Sequence, residues 1–167
     1  LLGEDGRTMH KSWGNAIEFN EGADKIGVDV MRWMYIRQNP TDNLLFGYHK
    51  ADEIRRHFHL TLWNVYNFFV TYANIDGCKT LNTQHSTLNT LDEWILLRLN
   101  ELIKIVTDSL DKYDAQTAGL SIEKFVEDLS LWYVRRSRDR IGPTVKNGED
   151  KKNCYATLHK VLVILTK

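Results

Sequence analysis

The chain has 167 residues, 43% of them apolar and 26% charged, which fits one globular domain with a core of its own. Its 22 Lys plus Arg balance 22 Asp plus Glu, so no overall field draws in nucleic acid, and any contact with a polyanion has to come from a local basic patch. The two cysteines, Cys78 and Cys154, form no Cys-x-x-Cys pair, which argues against zinc or a disulfide framework and fits a reducing cytoplasm; apolar runs such as 161–165 are far shorter than the ~20 residues needed to cross a bilayer, and no signal peptide is visible.

The chain opens at Leu1-Leu2 without an initiator Met and stops at Thr166-Lys167 while an apolar helical pattern is still running, so it reads as a segment of a longer protein. The loop Asp5-Gly6-Arg7-Thr8-Met9-His10-Lys11-Ser12-Trp13-Gly14-Asn15 comes first. Glycines toward both ends let its backbone approach a ligand closely, and Arg7 and Lys11 supply two cations, a combination suited to closing over phosphate. By composition alone an ordinary polar surface loop is the favoured description, and the order of the residues reverses that preference.

Asn20 is then expected to cap a short helix that Gly27 ends. A second helix should run from Val28 to Gln38, stopped by Asn39-Pro40, with 41–47 as a linker. From His49 to Ala73 the positions Ile54, Phe58, Leu62, Val65, Phe69 and Tyr72 follow steps of three and four, which predicts a long helix with one buried face. Trp63, Tyr66 and Phe68 widen that face and are expected in the core rather than on a base-stacking platform. His57 and His59 lie two apart, have no partner at helical spacing, and are expected to be surface or boundary residues rather than metal ligands.

The stretch 74–89 has the polar composition of a loop. Thr90-Leu91-Asp92-Glu93 is a capping-box pattern opening a helix to about Tyr113, with Ile95, Leu99, Leu102, Val106 and Leu110 on its buried face. The next helix, 117–140, carries Ile122, Phe125, Val126, Leu129, Trp132 and Tyr133 as a stripe, and Trp132 is expected in the core beside Phe125 and Leu129. Arg135, Arg136, Arg138 and Arg140 crowd its end. Cations there suit the helix dipole, but four within six residues exceed what the dipole requires, and the planar guanidinium binds phosphate well. Lys146, Lys151 and Lys152 are expected to extend the basic patch. Gly142-Pro143 and Asn147-Gly148 signal turns, and Asp150 should cap a last helix bearing Tyr155, Leu158, Val161, Leu162 and Leu165.

Met9-His10-Lys11-Ser12-Trp13-Gly14-Asn15 resembles the Lys-Met-Ser-Lys-Ser loop of class I aminoacyl-tRNA synthetases, with Thr8 and His10 where members usually have lysine and serine. Asp29-Val30-Met31-Arg32-Trp33, the run 62–69, the run 91–100 and Trp132-Tyr133-Val134-Arg135-Arg136-Ser137-Arg138 are similar to successive landmarks of the isoleucyl-tRNA synthetases, whose layout the valyl and leucyl enzymes share. The resemblance implies a mainly α fold: a helical bundle of the anticodon-binding type over 47–167, preceded over 1–46 by the signature loop and connector helices at the end of a catalytic domain. It also implies ATP, accompanied by Mg²⁺, and isoleucine as substrates of the full-length enzyme, tRNA as partner, and a cytoplasmic location. No cofactor is expected on the segment alone, and a metal site on it is not. Met9, His10, Lys11, Ser12 and Gly14 would contact ATP, with Lys11 catalytic, while Arg135, Arg136, Arg138 and Arg140 would contact tRNA. The competing expectation is a helical RNA- or protein-binding module that has kept the architecture and lost catalysis, which the departures at Thr8 and His10 favour.

Overall fold

The computed structural model describes residues 1–78, 88–146 and 148–167. Most of the loop expected at 74–89, and Asn147 of the later turn, lie outside the described residues. Among those residues strand is confined to β1 (Leu2–Gly3) and β2 (Leu45–Phe46), which pair in parallel with Leu2 opposite Leu45 and Gly3 opposite Phe46. The rest is helix and connection, as apolar steps of three and four predict. Contacts group the chain into two units, residues 1–60 with 105–123 and residues 61–104 with 124–167.

In the first unit, α1 (Phe19–Ile26) and α2 (Val28–Ile36) meet at Gly27, whose φ of 92° is a conformation that side chains rarely tolerate. The cap of α1 is Glu18 rather than Asn20. Glu18 has the extended backbone a cap needs and its carboxylate accepts from Glu21 N at 3.1 Å, while Asn20 lies inside the helix and donates to Glu18. The expected linker at 41–47 contains β2, a strand too short to leave an alternation signal. The helix α3 (Tyr48–Ile54) continues into a π-helical turn, Arg55–Leu60. The core here is Ile26, Val30, Met34, Phe46, Ala51 and Ile54, with Met9 among the residues packed at its edge.

The first half of α6 (Ala115–Asp128) belongs to the same unit. Glu123 accepts from Trp33 Nε1 at 2.7 Å and pairs with Arg37 at 3.3 Å, and Gln116 donates to the Arg37 carbonyl. Gly119 permits this approach, since a Cβ there would stand 2.7 Å from Ile36 Cγ2.

The second unit is built from α4 (Thr61–Ile75), most of α5 (Thr90–Leu110), the end of α6, a π-helical turn at Leu129–Val134, the short α7 (Arg135–Ser137) with a 3₁₀ turn at Arg138–Arg140, and α8 (Glu149–Leu165). Asn89, not Thr90, provides the side-chain bond at the start of α5, accepting from Leu91 N at 3.0 Å. Ile95, Leu99, Phe125, Leu129, Tyr155 and Leu158 are buried as expected, whereas Leu110, Trp63 and Tyr66 are exposed. Trp132 is also exposed, at 51%, whereas Tyr133 beside it on the expected stripe is fully buried. The π turn explains that correction. Its wider turn carries burial from Leu129 to Tyr133 and Val134, so a stripe counted at the α-helical period places Trp132 on the wrong face.

Candidate functional site

The signature-like loop grows out of β1. Gly3 N donates to the Arg7 carbonyl at 2.8 Å and Leu2 bridges Thr8 in antiparallel fashion, so the chain folds back on itself around Gly6, whose φ is 76°. Asp5 Oδ1 accepts from Arg7 N at 3.0 Å. Thr8 is the bridge residue, His10 is extended, and Met9 between them packs against the first unit's core. Lys11–Trp13 then makes one 3₁₀ turn, closed by Gly14 at φ 68°. Trp13 lays its ring against His10, with centroids 4.5 Å apart.

Two hydrogen bonds from a single side chain tie this loop together. Asn15 Oδ1 accepts from His10 N at 2.9 Å, and Asn15 Nδ2 donates to the Thr8 carbonyl at 3.1 Å. His10, Lys11, Ser12 and Gly14 are left facing solvent, and Lys11 enters no ion pair among the described residues. Gly14 and Asn15 also border a groove of about 420 Å³ shared with Gly3, Asp5, Glu21 and Tyr48. There Glu21 accepts from Lys25 at 2.7 Å and Tyr48 at 2.9 Å, bonds that hold its carboxyl below the ordinary range. No group of three or more His, Cys, Asp or Glu able to hold a metal ion occurs among the described residues.

The arginine cluster divides in two. Arg135, Arg136 and Arg138 are exposed, and none forms an ion pair among the described residues. The Arg136 guanidinium lies 4.6 Å from the Trp132 ring centre, and these two border a groove of about 520 Å³ with Leu131 and Arg135. Arg140 is differently placed. It grips the buried Asp92 through two parallel bonds and reaches Asp150 through Nε at 2.9 Å and Nη2 at 2.7 Å. Burial works against its charge, yet the two carboxylates outweigh burial and raise its pKa. Asp150, expected as a helix cap, lies instead in the first turn of α8 with its carboxyl held below the usual range by Arg140.

Tyr133 donates to the same Asp92, and burial pushes its phenol pKa upward. The neighbouring Cys154 thiol is pushed up to about 11 by burial, which leaves it unreactive near neutral pH. Lys151, expected on the basic patch, is buried. Its ammonium donates to Asp76 at 2.8 Å and to the carbonyls of Gly142 and Val145. Lys146 and Lys152 stay exposed. His57 is exposed, and His59 is half-buried against Phe58 with no hydrogen-bond partner for Nδ1 among the described residues.

A buried helical scaffold that leaves three arginines outward is the setting in which the comparisons with known proteins fall. Residues 92–167 match the family model described as the anticodon-binding domain of tRNA ligase, and the loop at 8–15 resembles the signature loop of class I tRNA ligases. Over its whole length it is 43% identical to the isoleucine--tRNA ligase of Dehalococcoides mccartyi, covering 100% of this chain and 17% of that protein. The isoleucine--tRNA ligases of Thermus thermophilus and Clostridium tetani are 39% and 40% identical over 99% of this chain and 16% of each relative. The chain belongs to the isoleucine--tRNA ligase family, and it spans 16–17% of the length of these curated relatives.

Sequence reasoning misses two residues of interest. Asn15 stands in the loop as part of the Gly14-Asn15 pair, but nothing in its spacing reveals that its amide turns back to residues 8 and 10. Trp132 falls on the core stripe by spacing because a π turn leaves no periodic signature.

Proposed function

We propose that the protein of which this chain is a segment activates isoleucine with ATP, bound with Mg²⁺, and transfers it to tRNA(Ile) in the cytoplasm. One observation carries this reading: in a chain similar throughout to isoleucine--tRNA ligases, Lys11 stands outward on a loop whose base is tied down. In the first step the carboxylate of isoleucine attacks the α-phosphate of ATP and pyrophosphate leaves with the electron pair of the broken P–O bond. Charge grows on the departing oxygens, and a lysine brought over them by loop closure stabilises that charge more than it stabilises bound ATP. Lys11 takes this role, with His10, Ser12 and the backbone at Gly14 facing the phosphates. Met9 contributes by anchoring the loop to the core.

Residues 1–46 thus serve the end of the catalytic domain, and 47–167 the anticodon-binding bundle. Arg135, Arg136 and Arg138 meet the tRNA backbone, since exposed guanidinium groups without an ion pair among the described residues suit phosphate. Arg140 supports them from within by holding the helices in place.

Isoleucine-dependent exchange of labelled pyrophosphate into ATP by the full-length protein tests the reading, together with charging of tRNA(Ile). The 167-residue chain alone is expected to give no exchange, because it holds one wall of the ATP site. Full-length protein that binds tRNA without exchanging pyrophosphate would favour the non-catalytic module suggested by Thr8 and His10.

A further inference from the structure

We propose that Asn15 is a positioning residue that clamps Thr8 to His10, so that only the tip Lys11 to Gly14 moves when the loop closes over a nucleoside triphosphate. The inference rests on the reading of the loop as a triphosphate-closing element. Its ground is the geometry of an extended strand, in which the carbonyl of one residue and the N–H two residues later point to the same side. The Thr8 carbonyl and the His10 N–H are such a pair, and one carboxamide satisfies both, at 3.1 and 2.9 Å. Asn15 thereby acts as the missing neighbour strand on one edge. On the other side of this short stretch, Thr8 bridges Leu2 and the Arg7 carbonyl accepts from Gly3 N. Met9 adds a third restraint by packing against the core.

Among the described residues no side chain hydrogen-bonds the tip, whose one ring contact is Trp13 against His10. The tip is one 3₁₀ turn whose four residues are exposed, held by backbone bonds from Trp13 N to the His10 carbonyl and from Gly14 N to the Lys11 carbonyl, both 3.1 Å. Gly14, at φ 68°, joins the tip directly to the clamp and can absorb a large backbone change. Few side chains could replace Asn15. Aspartate accepts from His10 N but cannot donate to the Thr8 carbonyl, and alanine does neither. A fixed base confines Lys11 to a short arc, which lowers the entropy lost in aligning its ammonium with the triphosphate.

The experiment uses the full-length protein with Asn15→Ala, Asn15→Asp and Lys11→Ala, and ATP as the probe. Asn15→Ala should raise hydrogen exchange at the His10 amide and lower kcat of isoleucine-dependent pyrophosphate exchange on the order of 10- to 100-fold, with isoleucine KM and tRNA affinity unchanged. Asn15→Asp, which keeps the bond to His10 N, should fall between Asn15→Ala and the parent in both readouts, and it carries the test if Asn15→Ala does not fold. Unchanged exchange at His10, or unchanged kcat in Asn15→Ala while Lys11→Ala is slow, overturns the clamp and leaves the loop reading intact. Full activity in Lys11→Ala overturns the loop reading itself.

Discussion

Arg140 and Asp92 meet through two parallel hydrogen bonds, Nη1 to Oδ1 at 2.9 Å and Nη2 to Oδ2 at 2.6 Å, with the aspartate fully buried. The fork of a guanidinium matches a carboxylate, and a lysine in its place would supply a point charge without that geometry. Arg140→Ala leaves Asp92 buried beside Tyr133 without its counter-ion and should cost about 3–5 kcal/mol. Denaturant unfolding checks this, and a change under about 1 kcal/mol would mean water reaches Asp92 and replaces the arginine.

Trp132 and Tyr133 are adjacent in sequence and opposite in environment, so their substitutions should separate. Trp132→Ala removes a half-exposed ring and its stacking on Arg136, at a cost of about 1 kcal/mol. Tyr133→Phe keeps the buried ring but removes the hydroxyl bonded to Asp92, at about 1–3 kcal/mol. Paired melting curves should show the tyrosine variant as the less stable of the two.

For the outward arginines the expected signature is in salt. Replacing Arg135, Arg136 and Arg138 together with glutamine should weaken tRNA binding and reduce the slope of log K against log salt by about 0.7–0.9 for every phosphate that the three guanidinium groups neutralise. Unfolding of the variant should match the parent's. Unchanged affinity and slope would assign the three to another role.

Acid should destabilise the chain in two ranges. The pKa of His59 is depressed below 6.5, chiefly by burial, so its contribution is complete above that value and is lost as pH falls toward the folded-state pKa. For Asp76 burial raises the pKa, but Lys151 and Tyr155 outweigh it. Asp150 is lowered mainly by Arg140, so both carboxyls sit below 3.8 and their contributions vanish only as pH drops through those lower values. Denaturation midpoints followed from about pH 8 to about pH 3 should decline below about 6.5 and more steeply below about 4. His59→Gln should remove the upper decline and leave the lower one.

Lys11→Ala in the full-length protein should slow adenylate formation by ~10²–10³, or about 2.7–4 kcal/mol, far more than it weakens isoleucine binding. Thr8→Lys should recover part of the loss. Rapid mixing with a separate isoleucine titration decides it, and an unchanged rate would pass the role to Arg7, His10 or a cation elsewhere in the protein.

By itself the sequence determined the helical class, most of the buried stripe on each helix and the loop's kinship, because each is written in local spacing. Ile95 and Leu99, Phe125 and Leu129, and Tyr155 and Leu158 all lie where steps of three and four place them. Tertiary structure alone decided which charges are free. Arg138 and Arg140 are two residues apart in one cationic run, yet the first is exposed and the second is held by acids 48 and 10 residues away along the chain. Lys151 and Lys152 part in the same way, one buried on Asp76 and the other exposed. A side chain's partner is set by what the fold brings within hydrogen-bond reach, a distance that spacing along the chain does not encode. The same limit hid the Asn15 amide behind an ordinary Gly-Asn pair, and the π turn at Leu129–Val134 hid the exposed Trp132 behind an ordinary helical stripe.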